Sequence, residues 1–240
     1  MKKSYLLCLT IIGCTCIAMI RFSSKKTSSI TNGNNVIQRS VNPSKVSDLE
    51  VKFIIQSLQE ADQLWKPVKI RTSNNTFKYR YVPIAGELPL DNLEVEQRIQ
   101  NFQELFAKER TDLINIFNYL QLIGVQVELT GTSVGIDGIW DPNRKTISLN
   151  QSLIRAGTLR FRNVLAHESI HVAQSCSAGS LHYQPRRIGL PLSSSYEIEQ
   201  SIGHSAYKGN PQESIYLEQE AYSYAGKLGA AFSLLKTYCR

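Results

Sequence analysis

Residues 164–174 read VLAHESIHVAQ, two histidines four apart around a single glutamate in an otherwise apolar run. Residues four apart on an α-helix share a face, so His167 and His171 can direct ring nitrogens at one point. Glu168 is rotated by about 100° from His167, which places its carboxylate beside that point. Converging imidazoles suit zinc, and a carboxylate next to a metal-activated water can take its proton. The competing reading is a core helix whose histidines are merely hydrogen-bonded. Glu168 weighs against it, because a carboxylate between Val164-Leu165-Ala166 and Val172-Ala173 is costly to bury unless it is paired or used.

Working outward, helical spacing of apolar residues runs from about Ser152 to Gln174. Before it, VQVEL alternates as a strand after Gly124, and IDGIW and KTISL read as two strands joined by the turn DPNR. From Val46 to Trp65, Leu49, Phe53, Ile54, Leu58, Ala61 and Leu64 fall at helical intervals, and Pro67 follows the stop. FKYRYV is a further strand. Leu90-Asp91-Asn92 opens a longer amphipathic helix with Leu93, Ile99, Phe102, Leu105, Phe106, Leu113, Ile116, Phe117 and Leu120 on one face and solvated charges on the other. Residues 176–210 read as a long irregular connection. Asn210 as cap, Pro211 at the first position and Glu213 three after the cap then announce a last helix, QESIYLEQEAYSYA. The predicted fold class is α+β: mainly helical, with a small antiparallel sheet and a helical N-terminal extension.

Charge narrows the partners. The net charge is +7, but seven of the 27 basic residues lie in positions 1–45, which hold no acid, leaving 20 basic against 20 acidic residues beyond. The rest of the chain is neutral overall, so nucleic acid is not expected as a partner. The composition, 42% hydrophobic and 20% charged, is that of a globular protein. Residues 1–22 combine a basic start with an apolar run and read as a targeting segment. A cleaved signal peptide, a lipid anchor at Cys14 in IIGC and an uncleaved membrane anchor all remain open, and each puts the remainder outside the cytoplasm. Residues 23–45, rich in Ser, Thr and Asn, form a flexible linker. Residues 46–240 form a single domain, with a helical part over 46–123 and a metal-site part over 124–240.

Outside the targeting segment only Cys176 and Cys239 remain, a pair that in an exported chain suggests one disulfide, the alternative being two buried thiols. A straight last helix would carry Cys239 too far away to bridge. A turn at Gly226 or Gly229, sending AAFSLLKTYC back as a separate helix, removes that obstacle.

At the HExxH pattern the chain resembles the zincin metallopeptidases. The metzincin continuation is absent, because Gln174 and Ser177 stand where that subclass needs Gly and His. The gluzincin type takes a glutamate from a later helix in an ExxA pattern, and Glu218-Gln219-Glu220-Ala221 matches it. The resemblance, which covers residues 131–226, implies a zincin-like fold, a Zn2+ cofactor, His167, His171 and Glu218 as ligands and Glu168 as catalytic base. It also implies a peptide or protein substrate, laid along a strand edge such as GIDGIW or KTISL. Glu220 is the alternative third ligand. Tyr222 replaces the acid that many such proteins use to orient a histidine ligand. His182 and His204 are each a candidate alternative ligand or oxyanion donor, and Tyr183, Tyr196, Tyr207 and Tyr216 are candidate oxyanion donors. The chain is similar to small exported bacterial proteins with HExxH followed by ExEA. The expected function is zinc-dependent peptide hydrolysis outside the cytoplasm. The alternative is a non-catalytic exported metal-binding or cell-surface interaction protein.

Overall fold

In the computed structural model, which describes residues 48–84, 87–131, 136–193 and 212–240, the first helix, α1, is Asp48–Asp62, extended by a 3-10 turn to Trp65. Its buried residues Val51, Ile54 and Leu58 recur at three- and four-residue spacing. A hairpin follows, with β1 Val68–Arg71 antiparallel to β2 Phe77–Arg80.

Asp91 and Glu94 form a capping box at the start of α2, Asn92–Gln100, where the sequence places the opening of a helix. The single long helix predicted from there is interrupted, however. A 3-10 turn, Phe102–Glu104, separates α2 from α3, Ala107–Leu122. Phe102 and Phe106 at this interruption are both buried while Leu93 is exposed, so the apolar spacing runs through a break that it does not reveal. The charges of α3 also differ from expectation. Arg110 and Asp112 are buried rather than solvated.

Three strands form a mixed sheet in the order β3-β5-β4. β3, Gln126–Thr130, is parallel to β5, Thr146–Asn150, and β4, Gly138–Asp141, is antiparallel to it. The tight β4–β5 connection is held by the Asp141 side chain, which accepts the backbone N–H of Asn143 at 2.9 Å. Fold class α+β stands, with this one parallel pair added to the antiparallel sheet that was expected.

The helix carrying the quoted stretch, α4, is Thr158–Ser177. It starts six residues later than its apolar spacing suggests, because residues 151–154 form a 3-10 turn and Gly157 breaks the chain with φ of +84°. No side chain at Gly157 caps the helix. Instead Asp62, at the far end of α1, accepts the Thr158 backbone N–H at 2.7 Å and its hydroxyl at 2.6 Å. A β-carbon on Gly157 would lie 2.7 Å from that carboxylate. Arg110 of α3 donates to the same carboxylate at 3.1 Å. The segment before residue 123 therefore caps and buries α4: Val51, Ile54, Leu58, Leu113, Ile116 and Phe117 share one cluster with Phe161, Leu165 and Ile170 of α4.

Two further helices complete the described chain, α5 Gln212–Ala225 and α6 Ala230–Tyr238. Residues 210 and 211, the expected cap and proline, lie outside the described residues, as do the targeting segment and the linker. The chain does turn back between these helices, with Gly229 in the left-handed region at φ 73°. Arg162 of α4, fully buried, fastens the turn. Its guanidinium pairs with Asp112 at 2.6 and 2.8 Å, donates to the Lys227 carbonyl at 2.6 Å and bonds the Ala225 carbonyl. The other Asp112 oxygen accepts the Gly229 N–H at 3.2 Å. α6 thus lies against α4, and Cys176 and Cys239 are joined in a disulfide with Cα atoms 5.1 Å apart.

Candidate metal centre

One turn of α4 presents His167 and His171 side by side, and α5 brings Glu218 across to them. The two Nε2 atoms are 3.1 Å apart. Glu218 places one oxygen 3.1 Å from His167 Nε2 and the other 3.4 Å from His171 Nε2. Three donors of the types zinc prefers converge from two helices, and among the described residues no other His, Cys, Asp or Glu joins this group.

The spacing can be tested against the size of the ion. At zinc–ligand distances of about 2.0–2.1 Å, the edge of a coordination tetrahedron is about 3.3–3.4 Å. The separations of 3.1–3.4 Å between these atoms fit an ion of that size with little adjustment. Two imidazoles and one carboxylate are three donors, which among the described residues leaves a fourth position open, as catalytic zinc sites do.

Glu168 sits next to this group but outside it. Burial pushes its carboxyl above the usual carboxylate range, with the neighbouring His167 and His171 and a backbone hydrogen bond from Trp140 acting in the opposite sense. Its other wall is β4. A β-carbon on Gly138 would lie 2.9 Å from Glu168 Cγ and 3.0 Å from its Oε1, so the strand approaches the carboxylate as closely as it does only because that residue has no side chain. β4 is also an edge strand of its sheet, with Ile139 exposed and Trp140 buried.

The three side chains also pair with one another. Burial lowers His171, but the hydrogen bond and charge of Glu218, with the charge of Glu168, outweigh it and leave His171 raised to about 9. Burial acts to raise Glu218, yet its hydrogen bonds from His167 and His171 hold it well below the ordinary carboxylate range.

The alternative third ligand, Glu220, is turned away from the centre. It is fully buried, and its carboxylate accepts the backbone N–H groups of Ile188, Gly189 and Leu190 at 2.8–2.9 Å. Tyr222 packs its ring on His167, centroids 4.3 Å apart. His182 and Tyr183 are exposed, and His182 lines a hollow beside Cys176 and Cys239 rather than the His/Glu group. Tyr216 lies under the Arg187 guanidinium. His204, Tyr196 and Tyr207 lie outside the described residues.

Sequence reasoning passed over Gln174, which accepts from His171 Nδ1 at 2.7 Å. The signal was available in its position three residues beyond the second histidine, on the same helix face. Compared with protein-family models, curated proteins and solved structures, the chain matches none.

Proposed function

We propose that the protein is a zinc-dependent hydrolase of peptide bonds, of the gluzincin type, acting outside the cytoplasm. The observation that carries this reading is the placement of Glu168. A structural zinc site needs four ligands and no neighbouring base, whereas here three donors are accompanied by a buried carboxylate whose affinity for a proton is raised.

His167, His171 and Glu218 would hold the ion, which when bound polarises a carbonyl and acidifies water. Glu168 accepts the proton of the attacking water and returns it to the leaving amine, a task suited to a carboxyl lifted by burial toward neutral pH. The edge of β4 at Gly138–Trp140, unpaired among the described residues, would receive an extended substrate by backbone pairing beside Glu168. The Cys176–Cys239 disulfide supports an oxidising, extracytoplasmic setting, as does the targeting pattern of residues 1–22. No helix among the described residues is long and apolar enough to cross a membrane.

Metal analysis of the purified protein tests the proposal together with turnover of an unspecific substrate such as casein. One zinc per chain is expected in the wild type and in Glu168→Gln, with proteolysis lost only in the latter. His167→Ala, His171→Ala and Glu218→Ala should each lose the metal. One zinc without proteolysis in the wild type would instead favour the non-catalytic binding protein.

A further inference from the structure

Gln174 has three polar neighbours whose chemistry fixes its orientation. Its amide nitrogen lies 2.8 Å from Glu220 Oε2 and 3.3 Å from the Leu217 carbonyl. Carboxylates and carbonyls only accept hydrogen bonds, so the NH2 end of the amide must face them. The opposite end, Oε1, is then the atom 2.7 Å from His171 Nδ1. That oxygen also only accepts, and Nδ1 must therefore carry a proton. The remaining ring nitrogen, Nε2, is the one that faces His167 and Glu218.

The chain of constraint continues one step further. Glu220, which orients Gln174, is itself fixed by the three backbone N–H groups of residues 188–190. His171, Gln174 and Glu220 are buried and each contact sets a donor against an acceptor, so reversing the amide of Gln174 leaves a buried polar atom unpaired. His167 offers the contrast, since its Nδ1 is buried with no hydrogen-bond partner among the described residues.

We propose that Gln174, anchored by Glu220, is the positioning residue of the centre, holding the Nδ1 proton of His171 and so presenting its Nε2 to the site. The effect on metal affinity rests on the zinc reading above; the hydrogen bond itself does not. A ligand fixed in ring orientation and tautomer binds metal more tightly than one free to rotate, by about 10–100-fold where such partners have been removed.

Proton NMR of protein labelled with 15N-histidine separates the two statements. In the wild type, with or without zinc, the His171 Nδ1–H should exchange slowly with water and the His167 Nδ1–H rapidly. Gln174→Met, of similar length but lacking the acceptor, should speed His171 exchange and weaken zinc binding by about 10–100-fold in a chelator competition. Glu220→Ala keeps the acceptor for His171 but removes its anchor, and should speed His171 exchange by less than Gln174→Met does. Should Gln174→Met fail to fold, Glu220→Ala and the wild-type exchange rates decide the matter. Equal exchange at both histidines in the wild type, or undiminished zinc affinity in folded Gln174→Met, overturns the proposal. A wild type that binds no zinc but protects only the His171 proton would remove the hydrolase reading and leave the hydrogen-bond assignment standing.

Discussion

The Asp62 carboxylate at the end of α1 accepts the Thr158 backbone N–H at 2.7 Å and so caps, from 96 residues away, the helix that carries both candidate histidines. It also takes the Thr158 hydroxyl and the Arg110 guanidinium, and all of these groups are buried. Asp62→Ala leaves a cation and two donors without their acceptor, and should destabilise the fold by about 3–5 kcal/mol. Urea denaturation measures this. A loss below about 1 kcal/mol would mean that the capping contact contributes little.

Gly138 predicts a separation of binding from turnover. A methyl group at this position meets Glu168 and the Val164 side chain at 2.9 Å, but neither histidine. On the hydrolase reading, Gly138→Ala should therefore keep zinc while turnover falls by about tenfold or more, since small displacements of a catalytic group carry large costs. Unchanged kcat with zinc bound would show that Glu168 does not need this close approach.

The disulfide closes a loop with a sequence separation of 63. On the chain-entropy account, a loop of this length stabilises by about 4 kcal/mol. Replacing both cysteines by serine should lower unfolding free energy by up to that amount yet leave zinc content unchanged, because Arg162 and Asp112 independently tie the turn after α5 to α4. Zinc loss in the folded double variant would contradict this division of labour.

The metal-free and zinc-loaded forms should respond to pH in opposite senses. His171 has a folded pKa raised from 6.5 to about 9. Its contribution is then fully present below 6.5 and is lost as pH rises to about 9. Glu218 is depressed, so its contribution is present above the ordinary carboxylate pKa and fades only in acid. In EDTA, Tm should fall from pH 6.5 to 9. Zinc needs unprotonated nitrogen, so the stabilisation it adds should grow across the same window. A metal-free Tm that climbs through this range would refute the pairing.

Much of this architecture was legible because apolar periodicity reports which face a segment buries. α1, the β4–β5 pair and the motif helix all follow from it, as does a helix opening at Leu90-Asp91-Asn92. The break at Phe102–Glu104 was not legible, since a short 3-10 turn leaves the apolar spacing nearly intact. Charged residues were the larger omission. Arg110, Asp112 and Arg162 sit in helices where charge ordinarily means solvent, and only their distant partners make burial tolerable. Glu218 could be named from its resemblance to a known ligand pattern. Glu220, two residues on, could be told from it only by seeing which backbone groups it faces.

The two halves of the triad differ in when they can exist. His167 and His171 meet within a single turn of α4, so a bidentate site is present once that turn is helical, on the microsecond scale of helix formation. Glu218 comes from α5 and reaches the pair only when a second helix packs on α4. On the zinc reading, capture would then come in two stages, loose and chelator-sensitive before α5 docks and tight after it. Zinc retention would report the last step of assembly.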